Sequence, residues 1–397
     1  FSRELKKLYI PVIHGTFVFK ALQQWYDFHS FQKEFITNTI ENTITDIAAD
    51  FSVQSYFGKL WHSNIIKNVK TISENKTGKL VNFSASTFPT NKIAVIVGVG
   101  PSLDSHIPIL KENRKNFFII ATDTAYHSLL LQGIISDVFV TVDPQYLSIL
   151  HCTYLNKNTL FVGDISCSHS VLQKAITSEC NLLLFKSNHP LTTLIENYIH
   201  LPLFSAESGT VTLSALHFAK EAGFKRLYIM GADFSYTHKP YCKGCYLDDI
   251  YNYSSSRLYT TEYQFSSLIY RTELILLSNN SDTYKVTTPV LERYKQSFLD
   301  FISKLGPEYI ILDKNSLFES QIEDKKMLLQ FYDSTIVLND FLNWYITELR
   351  SKSSIILPSI LPFIAWLKQK KEYGLSDMSS LFQTIYKKTT DILGEKL

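Results

Sequence analysis

The run Ile93-Ala94-Val95-Ile96-Val97 followed at once by Gly98-Val99-Gly100-Pro101-Ser102 constrains this chain more than any other segment. Five consecutive apolar residues, four of them β-branched, suit a strand buried on both faces, as happens when helices cover both sides of a parallel sheet. The glycines behind it mark the hand-over from strand to loop or helix. The same rhythm recurs through residues 91–300. Apolar runs at 117–121, 138–142, 159–162, 182–185 and 227–230 predict further strands, and 124–132, 168–177 and 210–222 predict helices between them. Strand–helix alternation at this spacing predicts an α/β fold, a Rossmann-like mostly parallel sheet flanked by helices.

The flanks read differently. Residues 1–90 mix helix and strand spacings and are expected to form a small N-terminal α+β region. Residues 301–397 are expected to be helical, with helices at 320–333, 338–349 and 377–393, and with Pro358 and Pro362 punctuating the connection. The middle region, 91–300, is then the ligand-binding unit.

Composition removes several classes. With 45% hydrophobic residues, 19% charged residues and a net charge of +2, the 397-residue chain is globular and carries no global field for nucleic acid. Five cysteines do not make a secreted disulfide framework. The longest apolar stretch, 355–367, is short and broken by prolines, so no transmembrane segment and a cytoplasmic location are expected.

Ligands of open α/β sheets bind beyond the carboxyl ends of the strands, and the polar residues there are the candidates. Gly98 and Gly100 let a phosphate approach the backbone, Pro101 suits a first helical position, and Ser102 offers a hydroxyl beside a helix N-terminus. The loop lacks the third glycine of the dinucleotide fingerprint and the Gly-Lys-Ser/Thr of a P-loop. Glu207-Ser208-Gly209-Thr210 opens another predicted helix, where Ser208 or Glu207 either caps it or meets a ligand. Asp123 and Asp143 follow two strands and serve equally as ligand contacts or caps. Gly231-Ala232-Asp233-Phe234-Ser235-Tyr236 follows the last strand, with a carboxylate for a ribose diol and aromatics to cover a base or sugar. His238 lies five residues after Asp233 and either takes a proton from a hydroxyl, binds phosphate or closes a surface turn. Cys242 and Cys245 with His238 give three soft ligands and no fourth at metal spacing. The tyrosine-rich stretch 236–263 is expected to act as a lid. No Asp-x-Asp occurs, which leans toward a donor with a monophosphate leaving group.

Taken in order, Val97-Gly98-Val99-Gly100-Pro101-Ser102-Leu103, Ser208-Gly209 and Gly223-Phe224-Lys225-Arg226-Leu227-Tyr228-Ile229-Met230-Gly231-Ala232-Asp233-Phe234 resemble the core of the motility accessory factor family. Those are flagellin-modifying proteins whose central domain is similar to bacterial sialyltransferases. The resemblance implies transfer of a sialic-, pseudaminic- or legionaminic-type sugar from a CMP-activated donor to Ser or Thr of flagellin, with no further cofactor. It implies that Ser102 and its loop hold the donor phosphate, that Ser208, Gly209, Asp233 and Phe234 hold cytidine and ribose, and that Tyr236 assists at the phosphate. Flagellin and a nucleotide sugar are then the partners, and self-association into a homo-oligomer is left open. A related archaeal group shares the loop and joins a diphosphate to a hydroxymethylpterin. That alternative predicts ATP and Mg²⁺ use, with Asp123, Asp143 and Asp233 as carboxylates. A third reading is a non-enzymatic flagellin-binding or assembly factor.

Overall fold

The computed structural model describes residues 2–20, 22–74, 80–187, 189–204, 210–277, 285–313, 325–332, 335–370 and 377–394. Three short helices, α1 (Ser2–Leu8), α2 (Pro11–His14) and α3 (Gln23–Phe28), lead into α4 (Ser30–Glu74), a single 45-residue helix. The sheet then begins with β1 (Ile93–Val97), α5 (Leu103–Glu112), β2 (Phe117–Thr122), α6 (Asp123–Leu131) and β3 (Val138–Thr141). A 3-10 turn (Tyr146–Cys152) leads to β4 (Leu160–Asp164), α7 (His169–Thr177), β5 (Leu182–Phe185), α8 (Pro190–Ile195), α9 (Val211–Glu221) and β6 (Arg226–Met230). After it come α10 (Tyr246–Ser254), α11 (Thr261–Ile269), the small hairpin pair β7 (Ile275–Leu276) and β8 (Val286–Thr287), α12 (Pro289–Ser303) and β9 (Ile310–Ile311). Helices α13 (Thr335–Ser351), α14 (Leu357–Gln369) and α15 (Met378–Leu393) close the chain.

The main sheet has the order β5-β4-β3-β2-β1-β6-β9, and every pair in it is parallel. This is the predicted Rossmann-like α/β fold. Successive residues of each strand point to opposite faces, and both faces are apolar. Val95, Val97, Ile119, Phe139 and Phe161 enter one core. Ala94, Ile96, Ile120, Val140 and Val162 enter the other, against α9 and α12. Each central strand is therefore covered on both sides, which is why its sequence reads as a continuous apolar run.

Order reverses at β1, with β2 on one side and β6 on the other. That places a switch point at the carboxyl ends of β1 and β6. The sheet does not stop at residue 300, because β9 adds to it beside β6.

The N-terminal stretch, expected to mix helix and strand, carries the helices α1 to α4 up to Glu74, and among the described residues β pairing enters it as isolated bridges of Leu80, Val81 and Thr87. The reason is tertiary. Residues Ile40, Ile47, Gly58, His62, Ile65, Val69 and Ile72 of α4 lie along one buried stripe, and α13, α14 and α15 pack against it. At Gly58 a Cβ would stand 1.8 Å from the Pro362 carbonyl oxygen, so α14 and α4 cross backbone to backbone. His62 Nε2 meets the Tyr345 hydroxyl of α13 at 3.2 Å. The prolines expected to break the connection lie inside α14, Pro358 in its first turn and Pro362 in its body. Of the helix expected over 320–333, residues 325–332 are extended, with Leu328 bridging Thr87 and Phe331 bridging Val81, and the remainder lies outside the described residues.

Candidate nucleotide site at the switch point

Gly98, Val99, Gly100, Pro101 and Ser102 run from β1 into α5, directly beside Gly231, Ala232 and Asp233 at the end of β6. The two loops are laced by backbone hydrogen bonds. Gly98 N–H donates to Met230 O and Gly100 N–H to Gly231 O, both at 2.8 Å. No side chain fits between them. A Cβ on Gly98 would stand 2.6 Å from Gly231 O, one on Gly231 2.2 Å from Gly98 O, and one on Gly100 1.9 Å from Asp233 Oδ2. The glycines thus serve close approach of two strand ends, and Gly231 also holds φ at +65°.

Asp233 closes this cradle. Its Oδ2 accepts from Ser102 N–H at 3.0 Å and from the Ser102 hydroxyl at 2.9 Å. The carboxylate therefore caps the start of α5, where an anion is favoured by the helix dipole. Phe234 sits at φ +47°, a conformation that side chains rarely adopt. It is pinned there by Thr287 Oγ1, which donates to its carbonyl at 2.8 Å, and by ring contact with Phe298. Tyr236 continues as an antiparallel bridge to Val286, and burial pushes its phenol up.

Asp123 and Asp143 lie on the next strand ends. Asp123 is fully buried at the start of α6. Its Oδ2 accepts from Thr141 Oγ1 at 2.8 Å and its Oδ1 from Thr124 N–H at 2.7 Å. Asp143 Oδ1 accepts from Gln145 N–H at 2.9 Å. Burial raises the Asp143 carboxyl, against the pull of the Gln145 N–H, and the Asp123 charge adds to the rise.

Sequence reasoning did not single out His151, which the fold brings to this pair. Its Nδ1 lies 3.6 Å from Asp123 Oδ2. Burial alone would lower this imidazole, yet Asp123, with Asp143, outweighs it and holds it above its ordinary value. Tyr246, at the start of α10, covers the ring with centroids 4.4 Å apart. Burial pushes the Tyr246 phenol up to about 12, reinforced by Cys245, Asp123 and Asp143. No sequence motif marks His151. Only an apolar 3-10 turn behind Asp143-Pro144 carries it inward.

The long helix α4 fixes these loops from behind. Asn64 Nδ2 donates to Pro144 O at 2.9 Å and to Ser166 O at 3.2 Å. Asn68 Nδ2 donates to Ile165 O and Cys167 O, both at 2.9 Å.

The other expected residues scatter. Thr210 is buried and leads into α9, while Glu207, Ser208 and Gly209 lie outside the described residues. His238 is exposed on the turn after β6. Cys242 and Cys245 are buried, and burial pushes both thiols up to about 12. Cys242 N–H donates to Val99 O at 2.9 Å and its thiol to Ser128 Oγ at 3.3 Å, so this segment buttresses the glycine loop. Among the described residues no cluster of three or more His, Cys, Asp or Glu is placed to hold a metal ion.

A parallel sheet with a glycine cradle at its switch point defines a doubly wound α/β protein, a class whose ligands bind beyond the carboxyl ends of the strands. The chain belongs to the MptE-like family, described as 6-hydroxymethylpterin diphosphokinase MptE-like, whose sequence model matches residues 63–239. An uncharacterized protein of Treponema pallidum (strain Nichols) is 37% identical over 147 residues, which span 37% of this chain and 67% of that protein. A second from the same organism is 26% identical over 274 residues, 66% of this chain and 90% of that protein. Among solved structures, the MAf glycosyltransferase from Magnetospirillum magneticum AMB-1 shares the fold, with a TM-score of 0.51, 14% identity and 90% of this chain aligned. The present chain spans 57% of that protein's length. The family resemblance carried by the glycine loop and the Asp233 segment is thus shown, at the level of family and fold.

Proposed function

We propose that this chain is a glycosyltransferase that takes a nonulosonic acid of the sialic, pseudaminic or legionaminic type from a CMP-activated donor to Ser or Thr of flagellin, in the cytoplasm. The observation that carries it is the cradle of Gly98–Ser102 against Gly231–Asp233, a glycine-lined strand end facing a fixed carboxylate. Its family and the fold shared with a MAf glycosyltransferase support the same reading. With Asp233 Oδ2 engaged by Ser102, Oδ1 is the oxygen to meet a ribose hydroxyl. The N-terminal turn of α5 lies where the donor phosphate is needed, and the leaving CMP departs from there. Among the described residues no helix is long and apolar enough to cross a membrane.

Calorimetry with CMP and CMP-sugars, with and without Mg²⁺, tests the donor. The wild type should bind CMP, and Asp233→Asn should weaken binding by about tenfold or more, the loss of one charge-assisted hydrogen bond at about 1.5–3 kcal/mol. Absence of CMP binding by the wild type removes the reading.

One observation favours a second reading. It is the description of the matching family model, 6-hydroxymethylpterin diphosphokinase MptE-like. A Mg²⁺-dependent transfer of diphosphate from ATP to a hydroxymethylpterin is the activity of that reading. ATP binding that requires Mg²⁺, with no response to CMP, selects it. Flagellin binding without either nucleotide selects an assembly role instead.

A further inference from the structure

The sheet edge holds a second arrangement that the donor cradle does not use. His151 lies near the end of the 3-10 stretch that follows β3, with only 7% of its side chain exposed. Its Nδ1 is fully buried, makes no hydrogen bond, and lies 3.6 Å from Asp123 Oδ2. Asp123 cannot swing away, since Thr141 and Thr124 hold its two oxygens from inside the protein. Both oxygens are thus engaged, which suits the carboxylate to orienting an imidazole. Tyr246 lies over the ring from α10. With Nδ1 closed in against Asp123, Nε2 is the nitrogen left to meet a substrate. The pair stands beside the donor cradle. Val97 pairs with Ala121, and Thr122 with Val140, so the ends of β1, β2 and β3 lie side by side.

We propose that His151, oriented by Asp123, is the catalytic base of this site and takes the proton of the attacking hydroxyl. The proposal rests on the glycosyl-transfer reading. In the step, the acceptor O–H bond breaks and its proton passes to His151 Nε2. The oxygen's electron pair forms the new bond to the anomeric carbon. The bond from that carbon to the phosphate oxygen breaks, and its electron pair leaves with the nucleoside monophosphate. Asp123 acts as a positioning residue that fixes the tautomer with the proton on Nδ1 and stabilises the imidazolium that forms. The groups facing the ring are Asp123 from α6, Asp143 from the loop after β3 and Tyr246 from α10. The two carboxylates hold the imidazole's proton affinity above its ordinary value of 6.5, so activity should fall with acid along a limb centred above that value.

The test uses the full chain, a CMP-activated nonulosonic acid and flagellin. His151→Gln should lower kcat by about 100-fold or more, the usual worth of a positioned base, while CMP affinity by calorimetry stays near that of the wild type. Asp123→Asn should move the acid limb of the rate profile down. Ring nitrogen NMR provides a check that needs no activity, with His151 titrating above 6.5 in the wild type and lower in Asp123→Asn. Melting curves of both variants, with His151→Asn as a second substitution, separate loss of chemistry from loss of folding. Wild-type turnover in His151→Gln, an unchanged acid limb in Asp123→Asn, or abolition by His238→Gln with His151→Gln active would each overturn the proposal. If the wild type neither binds CMP nor transfers sugar, the glycosyl-transfer reading fails first and takes this base assignment with it.

Discussion

At the scale of single residues, the cradle depends on the absence of side chains more than on their presence. A methyl on Gly100 would have to displace both the Asp233 carboxylate, at 1.9 Å, and the Gly231 carbonyl, at 2.7 Å. The carboxylate can rotate, but the carbonyl belongs to the backbone. Gly100→Ala should therefore cost about 1–3 kcal/mol in chemical denaturation, as overpacking does, and abolish nucleotide binding by unseating Asp233. Retained CMP binding in Gly100→Ala would show that the cradle holds no ligand. Residue identity was legible here. Gly98, Gly100, Ser102 and Asp233 all stood out at predicted strand ends. Their mutual contact was not legible, because Ser102 and Asp233 meet only when β6 is laid beside β1.

At the scale of elements, α4 does work that its sequence hides. Two amides on its buried face, Asn64 and Asn68, hold the carbonyls of the loops after β3 and β4. Asn68 is fully buried and also meets the His169 ring at 3.0 Å. Asn68→Ala would leave two buried carbonyls without donors, at about 1–3 kcal/mol each. Hydrogen exchange should then accelerate through residues 165–169 before it does in β4, and an unchanged exchange pattern would count against the clamp. Strands β1 to β6 were legible to within two residues, because short runs apolar on both faces and bounded by turn residues suit strands covered by helices on two sides. Helix α14 was not. Pro358 falls in its first turn, where the missing N–H is no loss. Pro362 is tolerated in its body with Gly58 of α4 packed against its carbonyl. The helix expected over 320–333 failed for the opposite reason, since edge pairing with Val81 and Thr87 keeps its described part extended.

At the scale of the whole molecule, burial of histidines makes stability depend on pH. His62 and His189 are buried, and burial lowers them to about 3 and about 4 respectively. Both stay neutral in the fold at pH values where the unfolded chain takes up protons. Their contribution is complete above the ordinary value of 6.5 and is lost as the pH falls toward the folded values, by about 1.4 kcal/mol per unit for each group. His151 runs the other way. Its raised value stabilises the fold below 6.5 and is lost as pH rises through that value. Denaturation midpoints measured from pH 7 to 4.5 should fall, and His62→Gln should flatten the slope. An identical slope in that variant would remove His62 as a cause.

The sequence alone determined the layers. Strands buried on two faces require helices on both sides, and glycines behind the central strand require a close approach at its end. That much is local periodicity and backbone sterics. The tertiary structure decided which strand ends are neighbours, and with that the site. The apolar run at 93–97 and its glycines became half of a cradle only when the order reversal at β1 brought Gly231 and Asp233 against them. His151 and Asp123 became a pair because β2 and β3 lie side by side. Contacts between residues far apart in the chain depend on strand order, which no local pattern encodes.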